Sequence, residues 1–278
     1  MKNGLILTLG LAVSCTAIAQ SLTFKEIMAL PPQTQTQHVA LSEPSSATRT
    51  RLNTLPKPSW GYQGDAAPEH WHTLHEDYAT CAGENQSPVD IRATVDADLP
   101  PIEFYYGSQA QTVTNDGNTV QFSYPVSHHV VVDDDAFHLR NIRAHTPSEN
   151  QINGQSFPME AHLVHENNTG ETVIVAVMVA LGNRNPAFNT LLHAIPASAG
   201  KAVELAKLIE PAELLPDQRD YFRFNGSLTT PPCTEGVRWL VMKKPVSVST
   251  KQLQTVAGAL GQTNNRPVQP LNARLILE

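Results

Sequence analysis

The chain has three cysteines in 278 residues, no concentrated basic segment and no internal repeat. None of its apolar runs is long enough to cross a bilayer. Each absence narrows the choices. With a formal net charge of -7 and scattered Lys and Arg, the sequence lacks the electrostatic footprint of a nucleic-acid or anionic-membrane binder, and nucleic acid is not expected as a partner. No transmembrane segment is expected in the mature chain. Without repeats or a shift in composition there is no boundary for a second folded domain, and the 41% hydrophobic content supplies a core for one large domain.

What is present begins with a targeting segment. Lys2, the apolar run 5–13 and the small-residue pattern Ala17-Ile18-Ala19 have the layout of a secretory signal over 1–19, cleaved before Gln20. The alternative is a lipid anchor through Cys15. Either way the protein is expected to be exported, periplasmic or secreted. Residues 20–59, rich in Gln, Thr, Ser and Pro, read as a flexible leader that buries too little surface to offset its ordering entropy. The folded domain is expected over 60–278. Removal of Cys15 with the signal leaves Cys81 and Cys233. In an oxidising compartment this pair reads as one disulfide, worth about 3–5 kcal/mol in the chain-entropy account, the alternative being two free buried thiols.

Within the domain, short alternating or apolar runs recur between turn signals: 113–120 around Asp116-Gly117, 121–124, 130–132 and 172–181. The last is β-branched and nearly continuous, as for a central strand covered on both faces. Helical periodicity is confined to 187–194, 202–210 and 250–260. The expected class is mostly β (α+β), with short peripheral helices.

The stretch 137–165 concentrates the chemistry. Read as two strands joined through Asn153-Gly154, it places Phe137, Leu139, Asn141, Arg143 and His145 on one face of the first strand and Glu160, His162 and Val164 on one face of the second. Two histidines thus face each other. A catalytic zinc site needs three protein donors and an open position.

Several segments together resemble the α-class carbonic anhydrases of the bacterial exported type: Trp60-Gly61-Tyr62, 86–91 (QSPVDI), 115–121 (NDGNTVQ), 137–165, and 226–233 (GSLTTPPC) with Trp239 beyond. They occur in family order and cover about 60–274. The resemblance implies a large, predominantly antiparallel central sheet with a conical cleft, a disulfide at Cys81 and Cys233, and reversible hydration of CO2 to bicarbonate by zinc-bound hydroxide. Carbonic anhydrase is itself the standard case of zinc lowering the pKa of its bound water to about 7.

By the same resemblance His145 and His162 are the residual zinc ligands, Glu160 orients a ligand histidine, and Glu149 with Thr229 is the hydroxide-orienting pair. Val164, Val175, Leu228 and Trp239 fall where the apolar side of the substrate pocket lies. Two positions depart from the family. Asn118 stands at the proton-shuttle position, and Arg143 replaces the first ligand histidine in a match that runs without a gap into Thr146-Pro147-Ser148-Glu149. His70, His72 and His75 offer an alternative relay.

Guanidinium has no lone pair to donate and stays charged. About 5 Å from a divalent ion at an effective dielectric of about 20, it repels on the order of 6–7 kcal/mol. The expectation is therefore a family member with an altered zinc site, resembling the carbonic anhydrase-related proteins, with CO2 hydration strongly impaired or lost and a cleft open to bicarbonate or another small anion. The alternative is an active zinc enzyme with a non-standard metal site. A third reading, a scaffold acting through 21–59, rests on the leader alone, and no protein partner is specified.

Overall fold

The computed structural model describes residues 59–107, 112–124, 127–196, 199–205 and 210–278. The expected signal over 1–19 and all but the last residue of the leader lie outside the described residues.

Thirteen strands are described: β1 (Asp90–Ile91), β2 (Glu103–Tyr105), β3 (Thr112–Asn115), β4 (Val120–Ser123), β5 (His129–Val132), β6 (Asp135–His145), β7 (Gln151–Ile152), β8 (Met159–Glu166), β9 (Thr172–Leu181), β10 (Lys201–Glu204), β11 (Tyr221–Ser227), β12 (Glu235–Met242) and β13 (Val246–Val248). Eleven form one sheet in the order β10-β3-β4-β6-β8-β9-β12-β11, with β5 also on β6, β2 on β5 and β13 on β9. Most pairs are antiparallel, and β9 pairs in parallel with β12 and β13. β1 and β7 make a separate parallel pair.

Both faces of β9 are covered, which is why its sequence is almost uninterruptedly apolar. Val173, Val175, Val177 and Val179 enter one cluster with Phe188, Leu191, Val256 and Leu260, whereas Ile174, Ala176 and Met178 enter a second with Phe224 and Trp239. The first cluster includes the helices α2 (Pro186–Ala194) and α3 (Thr250–Leu260). Each large apolar side chain so buried contributes about 1.5–3 kcal/mol. Pro186 opens α2 under an Asn185 cap that accepts from Ala187 N–H. Ser249 and Gln252 form a capping box on α3, and Gly261 ends it at φ 69°.

A third cluster joins Trp71 of the short helix α1 (Trp71–Leu74) to Tyr78 and to the Cys81–Cys233 disulfide. The expected pairing is present. It closes a sequence separation of 152 residues and ties the start of the domain to the loop after β11.

Two expectations about the elements are corrected. The helical pattern over 202–210 gives instead the edge strand β10, whose residues pair in register with β3 from Lys201↔Asn115 to Glu204↔Thr112. Ladder bonds to a neighbouring strand outweigh a weak local propensity. Residues 206–209 lie outside the described residues. In β6, a register shift between Leu139 and Asn141 leaves Arg140 as an extra residue, which inverts the side-chain alternation. Phe137 and Leu139 therefore enter the helix-covered core, while Asn141, Arg143 and His145 line a cleft on the opposite face.

Candidate active site

The cleft, about 190 Å³ in volume, is lined by residues of β6, β8 and β9 and by the Leu228-Thr229-Thr230 turn after β11. Cross-strand register sets its floor: Arg143 pairs with His162 and His145 with Glu160. The turn is held by reciprocal bonds, Ser87 N–H to Ser227 Oγ at 2.9 Å and Ser227 N–H to Ser87 Oγ at 3.2 Å. Gly226 is required there because a Cβ would collide with Ser87 Oγ.

His145 and His162 are both buried, with ring centroids 4.5 Å apart. His145 Nδ1 lies 2.7 Å from the Asn264 carbonyl. A carbonyl only accepts, so Nδ1 carries the proton and Nε2 keeps its lone pair. Burial first, then the His162 and Arg143 neighbours, hold this imidazole well below its usual range, and it stays neutral. His162 Nε2 lies 3.0 Å from Glu160 Oε1, within ion-pair distance but without hydrogen-bond geometry. Glu160 is itself fixed: Oε2 accepts from the Glu149 and Asn150 N–H groups at 2.8 Å each, and Oε1 from Asn150 Nδ2 at 2.7 Å.

Glu149 sits beneath both rings. Its Oε1 accepts from Arg266 N–H at 2.8 Å and lies 3.6 Å from His145 Nδ1, and Oε2 lies 3.7 Å from His162 Nδ1. Burial pushes the carboxyl up to about 7, against the opposing pull of His162, the Arg266 N–H and a hydrogen bond with the Thr229 side chain. Thr229 is also buried. The expected pair is thus brought together.

Arg143 lies half-buried in the cleft. Its Nε bonds Gln121 Oε1 at 3.2 Å and Asn141 Oδ1 at 3.1 Å, and Nη1 bonds Thr230 Oγ1 at 3.4 Å. All three partners are neutral. Asp116, Tyr62 and Glu149 act on the guanidinium only as more distant charges, while burial lowers its pKa. Among the described residues no carboxylate forms an ion pair with it.

Val164 and Leu228 line the cleft as expected. Val175 does not. It pairs with Leu163 and shares the helix-covered core, so strand alternation turns it away, and its neighbour Ile174 takes the lining position. Trp239 is fully buried behind the site, 4.9 Å from the His162 ring, with Nε1 donating to Ser227 O at 3.0 Å. It supports the histidine rather than lining the cavity. Asn118 is tied down, Nδ2 donating to Trp60 O at 2.9 Å. His70 and His72 are exposed; neither they nor His75 line the cleft.

Several contributors carry no sequence signal of their own. Asn264 holds His145 through its carbonyl and accepts Thr146 N–H at 2.8 Å. Arg266, buried and bonded to Gln86 Oε1, Ser87 O and Cys81 O, fixes Glu149 through its backbone. Both lie in an irregular tail without periodicity, where only three-dimensional proximity reveals the role.

The donor set can be compared with what zinc requires. His145, Glu149 and His162 each offer one donor atom within 4.8 Å of the others, and Glu149 Oε2 is buried with no hydrogen-bond partner. Two imidazoles and a carboxylate form a donor set that zinc accepts. Among the described residues this cluster offers two imidazoles and one carboxylate, and Arg143 is the β6 partner of His162.

Two histidines and a carboxylate thus converge in a cleft on the central strands of a large mixed sheet. Residues 66–278 match the family described as eukaryotic-type carbonic anhydrase. A carbonic anhydrase of Neisseria gonorrhoeae is 43% identical over 221 residues, covering 79% of this chain and 87% of that protein. The α-carbonic anhydrase structure from Photobacterium profundum aligns with TM-score 0.75 at 46% identity, covering 79% of this chain and all of that one. That from Thermovibrio ammonificans, complexed with sulfanilamide, aligns with TM-score 0.78 at 43% identity, covering 79% and 99%. The chain belongs to the α-class carbonic anhydrase family, which is zinc-dependent and acts on CO2 and bicarbonate.

Proposed function

We propose that this chain is an exported member of the family in which CO2 hydration is strongly impaired or lost. The observation that carries this reading is the Arg143 guanidinium, held in the cleft by neutral partners where the first ligand histidine is expected. When bound in a site of this kind, zinc supplies Lewis acidity that activates water. Here the β6 partner of His162 is a permanent cation instead.

A second reading has its own support: His145, Glu149 and His162 as a substitute donor set. Its chemistry remains compromised. The one carboxylate available as third donor is also the one bonded to Thr229. Glu149 can serve as ligand or can take the threonine proton that aims the hydroxyl, and engagement in one role weakens the other. Under either reading His145 and His162 are the residual ligands, Glu160 orients His162, and Asn118 offers no group that exchanges protons near neutral pH. Val164 and Leu228 supply the apolar wall.

Export rests on the segment 1–19, with residues 20–59 as a leader to a domain over 60–278. No helix among the described residues is long and apolar enough to cross a membrane. Mass spectrometry of the mature protein should find Gln20 at its N-terminus, whereas a lipid-modified Cys15 would replace cleavage by anchorage. The function is tested by stopped-flow CO2 hydration on the purified full-length chain in excess zinc. Rates at the protein-free blank support it, and turnover well above the blank overturns it.

A further inference from the structure

The cleft holds a cation whose donors are only partly used. Guanidinium carries five N–H groups. In Arg143 the Nε hydrogen is shared by Gln121 and Asn141, and one Nη1 hydrogen reaches Thr230. The other Nη1 hydrogen and both on Nη2 have no partner among the described residues. The second arginine of the lining, Arg140, is paired with Glu166 at 3.3 Å, so the two charges at that end offset one another. A guanidinium without a direct ion-pair partner among the described residues, in a partly desolvated cleft, suits an anion, and its planar fork matches a carboxylate bidentately.

Size and wall chemistry narrow the ligand further. A volume of about 190 Å³ is more than a bicarbonate-sized anion fills. The lining divides in two. Arg143, Asn141, Thr172, Thr229, Thr230 and the two histidines are polar, while Val164, Ile174 and Leu228 are apolar. Such division is typical of sites for small molecules with one polar end.

We propose that the cleft binds a small monocarboxylate with an apolar body, its carboxylate on the free edge of Arg143 beside Thr230 and its body against Val164, Ile174 and Leu228. The inference rests on the reading that Arg143 acts in place of a metal ligand. The carboxylate displaces the long Arg143–Thr230 contact and accepts from both, while the bonds from Nε to Gln121 and Asn141 keep the guanidinium plane fixed.

The test is isothermal titration of the metal-stripped full-length chain with benzoate, acetate and inorganic phosphate, with zinc content measured before stripping. Benzoate should bind one to one, about tenfold or more tighter than acetate through its buried ring, and phosphate should bind more weakly than either. Arg143→Gln should weaken benzoate about ten- to hundredfold. Thr230→Val should weaken it severalfold, and Leu228→Asn should weaken benzoate while sparing acetate. Benzoate binding unchanged in both Arg143→Gln and Thr230→Val, phosphate binding as tight as benzoate, or no carboxylate binding to folded, zinc-free protein would overturn the proposal. Stoichiometric zinc before stripping, with benzoate bound only after zinc is returned, would instead overturn the reading on which it rests.

Discussion

Replacing Arg143 by histidine should convert the cleft into a zinc site. The magnitude follows from Coulomb repulsion. Arg143 and His162 are direct cross-strand partners, which places their Cβ atoms about 4.5–5.5 Å apart. A guanidinium at about 5 Å from a divalent ion, at an effective dielectric of about 20, costs on the order of 6–7 kcal/mol, or four to five orders of magnitude in affinity, at about 1.4 kcal/mol per tenfold. The substitution removes that term and adds a third imidazole beside His145 and His162. It frees Glu149 to act on Thr229 alone. The structural loss is small: the bonds to Gln121, Asn141 and Thr230 join part-buried groups that water can reach, at about 0.5–1.5 kcal/mol each. Zinc stoichiometry after dialysis against a weak chelator and stopped-flow CO2 hydration read the result. Arg143→His should retain about one zinc per chain and turn over CO2 measurably, with Asn118 still limiting proton transfer. A folded Arg143→His protein that takes up no zinc would refute the reasoning, because it would mean the cleft differs from a zinc site in more than this residue.

Three further outcomes follow from the same geometry. In the Arg143→His background, Glu160→Gln should weaken zinc about 10–100-fold, since Glu160 Oε1 faces His162 Nε2 and a ligand's orienting partner carries that much affinity; competition with a chromophoric chelator measures it, and unchanged affinity counts against that orienting role. Burial holds the His165 imidazole down to about 3 from 6.5, so between those values the unfolded chain binds a proton that the folded one does not, and stability falls as pH drops through the window. Wild type should therefore lose about 3 kcal/mol more than His165→Phe between pH 7 and pH 4, read by denaturant titration, and equal losses would contradict the assignment. Cys81→Ala with Cys233→Ala should cost about 3–5 kcal/mol of stability by opening a loop of 152 residues; a midpoint unchanged in guanidinium would show that the crosslink contributes little.

The fold was legible because its signals are local and repeated. The continuous apolar run of β9 announces a strand buried on both faces, and Asp116-Gly117 marks the hairpin between β3 and β4. That His145 and His162 come close followed from alternation along the two strands, and their ring centroids lie 4.5 Å apart. Where phase changed, reading failed: the extra residue at Arg140 inverts β6, and nothing in the letters of that strand shows a bulge. Val175 went astray by one position for a related reason, since a run apolar at every residue does not say which residues face the cleft. The edge strand β10 was hidden by a helical pattern that pairing with β3 overrides. Asn264 and Arg266 were out of reach, as their contributions come through backbone atoms and their partners lie more than one hundred residues away in sequence.

The central claim is that a permanent cation at Arg143 keeps zinc from the cleft. Zinc content of the full-length wild-type chain, purified without chelator and equilibrated with excess zinc before exhaustive dialysis, tests it most directly. Well below one zinc per chain is the expected result. One tightly held zinc per chain, lost on substitution of His145 or His162, would contradict the claim.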